Sequence, residues 1–66
     1  MWKVIYVTSQ GTQVARVARA LEAAGLLCQI RQVGTGGTAE IMVSASEVEE
    51  AQAVLARTMR EPGREP

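Results

Sequence analysis

Five segments in the order strand, helix, strand, strand, helix predict an α+β domain. The expected architecture is a two-layer α/β plait truncated to β-α-β-β-α, an antiparallel sheet in the order 1-3-2 with both helices on one face. Three observations carry this reading. Residues 2–7 form a β-branched and aromatic run, apolar side chains recur at helical spacing from Val14 to Ala24, and a glycine-rich stretch at 34–37 separates two alternating runs.

Taken in order, Trp2-Lys3-Val4-Ile5-Tyr6-Val7 reads as the first strand, and Thr8-Ser9-Gln10-Gly11 as its exit loop, with turn and capping chemistry. From about Thr12, Val14, Val17, Ala18, Leu21 and Ala24 fall on one helical face, which leaves Arg16, Arg19 and Glu22 outward. Gly25 stands where a helix end favours a left-handed residue. The helix is expected to stop there.

Residues 26–33 read as the second strand, with Leu26, Cys28 and Ile30 toward the core and Leu27, Gln29, Arg31 and Val33 away from it. Gly34-Thr35-Gly36-Gly37 supplies a hairpin loop, after which residues 39–43 alternate again with Ala39, Ile41 and Val43 inward. Ser44 with Glu47, and Ser46 with Glu49, both have capping-box spacing, so one of the two should start a second helix. Its stripe is Val48, Ala51, Val54, Leu55 and Thr58, with Arg57 and Arg60 near the negative end of its dipole. Residues 1–60 thus form one domain, and 61–66, rich in proline, glycine and charge, are expected to be a disordered tail.

A right-handed crossover through the first helix sets strand two parallel to strand one and leaves room for strand three between them. The usual fourth strand of such a plait, beside strand one, is missing. Strand one is therefore an edge strand that is apolar on both faces. The sequence leaves two orientations open for it: Ile5 and Val7 toward the helices, or Val4 and Tyr6.

Over nearly all of its ordered length the chain resembles a family of small bacterial proteins described as signal-transducing, of unknown function. The residues that carry the likeness are Trp2-Lys3-Val4-Ile5-Tyr6-Val7, Leu21-Glu22-Ala23-Ala24-Gly25-Leu26, Ile30-Arg31-Gln32-Val33, Glu40-Ile41-Met42-Val43 and Ser46-Glu47-Val48-Glu49-Glu50-Ala51. The resemblance implies a ferredoxin-like, nitrogen-regulator-like plait, and it speaks to fold more than to activity. Where family members often carry proline after the first and third strands, this chain has Ser9 and Ser44. Similar short chains sometimes bear a glutamate decarboxylase label. The residues oppose it, because a pyridoxal enzyme needs an enclosed Schiff-base lysine and the only lysine here is Lys3, on a strand of a 66-residue domain.

Composition narrows the function classes. Seven basic residues balance seven acidic ones, so no global field attracts nucleic acid, an anionic membrane or an acidic substrate. Histidine is absent and Cys28 is the single cysteine, which removes the commonest metal ligands and the usual proton-transfer side chain. No metal, cofactor or catalytic residue is expected. With no paired cysteines, no run of ~20 apolar residues and no signal-peptide pattern, a cytoplasmic chain beginning at Met1 is expected.

Thr8, Ser9, Gln10, Gly11 and Thr12 precede the first helix and form a possible anion-binding loop, although capping accounts for the same residues. Gly34 to Thr38 could hold a phosphate, but it joins two strands and lacks the lysine of a P-loop, so hairpin geometry accounts for it better. A small-ligand sensor acting through either loop is the alternative function. Arg16, Arg19 and Arg31 could form a basic patch, although a solvated helix face is the commoner meaning of such residues. Cys28 reads as core packing rather than as a redox sensor.

The open sheet face is the leading site, with Trp2, Val4, Tyr6, Arg31, Glu40 and Met42 as its interaction residues. A 66-residue chain buries only roughly 60% of its unfolded surface, so help from a partner is expected. The resulting expectation is a non-enzymatic regulatory or interaction module. It self-associates through strand one, by its edge, the open sheet face or both, as a homodimer, or meets another protein there.

Overall fold

The computed structural model describes residues 1–60, and the predicted tail at 61–66 lies outside the described residues. The elements follow the expected order: β1 (Trp2–Thr8), α1 (Gly11–Ala23), β2 (Cys28–Val33), β3 (Thr38–Ser44), a single 3-10 turn (Ala45–Glu47) and α2 (Val48–Arg60). The sheet runs β1-β3-β2, and both pairings are antiparallel. The shortest Cα extent of the chain is 14 Å, room for one sheet and one helical layer with packed layers about 10 Å apart. One sheet face is therefore covered and the other is bare.

The core forms where the central strand meets both helices. Val17 and Leu21 of α1, Ile41 and Val43 of β3, Ala51 and Val54 of α2, and Leu26 pack into one buried cluster. The inward alternation predicted for Ala39, Ile41 and Val43 is the observed one, since all three are buried. No helix among the described residues is long and apolar enough to cross a membrane.

Gly25, at φ 83°, ends α1 as predicted and also shortens the second strand. Its amide donates to the Glu22 carbonyl at 2.9 Å, and the Leu26 amide reaches back to the Leu21 carbonyl at 2.9 Å. Those two bonds, with Leu26 packed in the same core cluster as Leu21, make a Schellman cap. Leu26 closes the helix instead of opening a strand. β2 accordingly begins at Cys28, not at residue 26.

Two local expectations are corrected at the helix starts. Ser44 makes no side-chain cap bond; its Oγ lies 3.1 Å from Ser46 Oγ, and the 3-10 turn intervenes before α2. Because α2 starts at Val48, Ser46 does not occupy the capping position either. At α1 the cap residue is Gln10, with no side-chain cap bond, and Thr8 Oγ1 accepts from the Gln10 amide at 3.1 Å.

Arg16 does not face solvent as the helical pattern suggested. Its guanidinium donates to the Thr58 carbonyl at 2.8 Å and to Gln13 Oε1 at 3.0 Å, tying α1 to the last turn of α2. A cation near the C-terminal turn of the described helix complements its dipole.

A bulge decides the orientation of β1. Trp2, Lys3 and Val4 pair with Ser44, Val43 and Met42, but the next pair is Tyr6 with Ile41, so Ile5 is the extra residue. Directly opposed residues share a face, which places Lys3, Tyr6 and Thr8 on the helix side with Val43, Ile41 and Ala39. Ile5 and Tyr6 both pack against the core. Neither strict alternation holds, because the bulge reverses the sense of the strand halfway along.

Candidate interaction surface

The bare face is built from three strands. β1 contributes Trp2, Val4 and Val7, β3 contributes Thr38, Glu40, Met42 and Ser44, and β2 contributes Gln29, Arg31 and Val33. Five of the six residues predicted for this surface thus lie together: Trp2, Val4, Arg31, Glu40 and Met42. Tyr6 does not, since the bulge turns it to the helix side, where it packs against the core. Val7, 51% exposed, stands on the bare face in its place. Nothing in the residue types of β1 marks the bulge, so strict alternation missed the exchange.

The centre of this face is already a small apolar floor. Met42 is only 8% exposed although no helix covers it, because Val4 and Gln29 flank it from the two edge strands. Around it Trp2, Val4 and Val7 retain 40%, 44% and 51% exposure. The single charged pair sits to one side. Arg31 Nη2 lies 2.6 Å and Nε 3.1 Å from Glu40 Oε1, across the directly opposed β2–β3 pair. Facing one another, the two charges leave the surface without net charge. Aromatic, methionine and arginine side chains with few unpaired charges match the composition of protein interfaces.

The other predicted sites gain less from the structure. In the 8–12 segment the Thr8 hydroxyl is engaged by the Gln10 amide, and the Gln13 and Val14 amides donate to the Gln10 carbonyl at 3.0 and 3.2 Å. The 34–38 hairpin is shaped by Gly34 and Gly37 at φ 68° and 83°, values that glycine adopts without steric cost. Hairpin geometry thus accounts for those glycines. The basic trio is dispersed: Arg16 is bonded at the helix junction, whereas Arg31 stands on the opposite side of the sheet from α1. Among the described residues no group of three or more His, Cys, Asp or Glu is placed to hold a metal ion.

Cys28 lies on the helix side of β2, opposite Val43, and is half-buried against the core. Burial first, and the Glu22 carboxylate second, push its thiol above the ordinary value. Both causes disfavour the thiolate, the form that reacts. Alkylation at pH 7 is therefore expected to be slower than for free cysteine, with its rise displaced to more alkaline pH. A rate at pH 7 equal to or above that of free cysteine would contradict this placement.

The fold and this surface together define a small two-layer α+β domain with one bare, neutral and partly apolar sheet face. Comparison with protein-family models, curated proteins and solved structures gives no match.

Proposed function

We propose that this chain is a non-enzymatic regulatory or protein-interaction module that self-associates through strand one, using the open sheet face. The observation that carries the reading is the Trp2, Val4 and Val7 cluster standing exposed over the buried Met42. The resemblance to small signal-transducing proteins supports a regulatory role, and the absence of histidine supports a non-catalytic one. A cytoplasmic setting fits the lone cysteine.

Sequence left both the edge and the face of strand one available for association. The bulge and Lys3 favour the face, because an edge interrupted by an extra residue and carrying lysine is a poor template for a further strand. A few hundred Å² buried from each copy contributes on the order of 10 kcal/mol at about 25 cal/mol per Å², and association takes back roughly 4–15 kcal/mol. The balance describes a weak complex. Sedimentation equilibrium at high micromolar concentration is expected to give a mass above that of the monomer, and a sharply monomeric species there would sink the proposal.

A further inference from the structure

The two edges of the sheet are not alike. β1 is bulged and carries Lys3, whereas all six residues of β2 pair with β3 in unbroken register and include no proline. β2 has neither bulge nor proline, and its one charge, Arg31, is paired with Glu40 on the central strand, so β2 is the less protected edge against strand addition. Beside it, Leu27 is 70%, Ile30 45% and Val33 39% exposed.

The direction of its free backbone groups follows from one bond. The Ala45 amide donates to the Met1 carbonyl at 2.8 Å, continuing the β1–β3 ladder, so the odd residues of β3 turn their backbone groups to β1 and the even ones to β2. Gln29, Arg31 and Val33, opposite Met42, Glu40 and Thr38, therefore bond to β3. Cys28, Ile30 and Gln32 present their N–H and C=O groups to the free edge.

We propose that a second copy of the chain pairs antiparallel with this edge, in the register that sets Ile30 opposite its own counterpart. Antiparallel pairing of two identical strands in one sheet places a two-fold axis perpendicular to the sheet, so some residue near the middle of β2 must meet itself. With Ile30 there, Cys28 faces Gln32 of the second copy and Gln29 faces Arg31. Leu27, just before the strand, comes opposite Val33. Each exposed apolar side chain thereby gains an apolar neighbour, and every outward N–H and C=O of Cys28, Ile30 and Gln32 gains a partner.

The neighbouring registers are worse. Centring on Arg31 opposes two guanidinium groups, and centring on Gln29 sets Leu27 against Arg31 and shortens the ladder. The preferred register opposes no like charges. It joins two three-stranded sheets into one with all helices on the same side, and so doubles the bare face. The pairing is independent of the face contact proposed above.

Amide hydrogen exchange on the unmodified protein tests this without a folding risk. Protection of the Ile30 and Gln32 amides is expected to rise about tenfold or more from low to high micromolar concentration, while Gln29 and Arg31, already bonded to β3, stay constant. Protection at Ile30 and Gln32 that does not change with concentration would overturn the proposal. Ile30→Lys and Ile30→Glu place like charges across the axis at a side chain already half exposed, so each alone is expected to lose the effect and an equimolar mixture to regain it. Single variants that keep the effect, or a mixture that does not regain it, would overturn the register. Val4→Glu, on the bare face, should leave the effect intact, which separates failure of the edge from failure of the face; its loss there would overturn the independence of the two contacts.

Discussion

Ile41→Ala is expected to remove a large share of the stability of this domain. Ile41 is fully buried on the central strand, opposed by Tyr6 on one side and Ile30 on the other, and it belongs to the cluster that joins both helices to the sheet. Truncating a buried isoleucine to alanine costs about 2–5 kcal/mol through lost transfer free energy and the cavity left behind. A domain of 66 residues has roughly 3–10 kcal/mol to lose. Few other side chains are placed to fill the gap, because the layer above Ile41 is made of Val17, Leu21, Ala51 and Val54, themselves packed. Urea unfolding followed by circular dichroism checks this; a loss of unfolding free energy below about 1 kcal/mol would show that the centre of the core lies elsewhere.

Val4→Glu is expected to do the opposite, sparing the fold and abolishing the face contact. Val4 stands 44% exposed on an edge strand, so its replacement costs the monomer about 1 kcal/mol or less. Between two copies stacked face to face, the same substitution brings two carboxylates into the apolar ground over Met42. Burying an unpaired charge at the centre of an interface costs several kcal/mol, enough to weaken association by a hundredfold or more. Sedimentation of the variant beside the wild type reads this directly. Arg19→Glu, on the exposed side of α1, is the matched control and should associate as the wild type does.

Much of the fold was legible because its signals are local. The Leu21 to Leu26 stretch states its own ending, in that a glycine after a helical stripe and a leucine on either side of it are the ingredients of a Schellman cap. The alternation of Ala39, Ile41 and Val43 likewise announced the central strand, since a strand covered on one face by helices must bury every second residue. The order 1-3-2 then followed from chain handedness.

What could not be read was set by tertiary partners. The bulge at Ile5 depends on how β1 meets β3, and no residue in Trp2-Lys3-Val4-Ile5-Tyr6-Val7 records it. It moved Tyr6 out of the surface and Val7 into it. Arg16 looked solvated because helical periodicity describes one helix at a time, whereas its partner, the Thr58 carbonyl, comes from the other. The serine caps failed for a related reason. Ser44 and Ser46 have the right spacing, but the 3-10 turn moves the helix start past both.

Trp2, the only tryptophan, reports on the bare face without any label. Its emission, followed from high to low micromolar concentration, tests face-to-face association most directly. Covering the ring against a second copy should hold the emission at shorter wavelength when the protein is concentrated and release it to longer wavelength on dilution, with the midpoint matching that from sedimentation. Emission that stays the same across the whole range would contradict the face as the site of association.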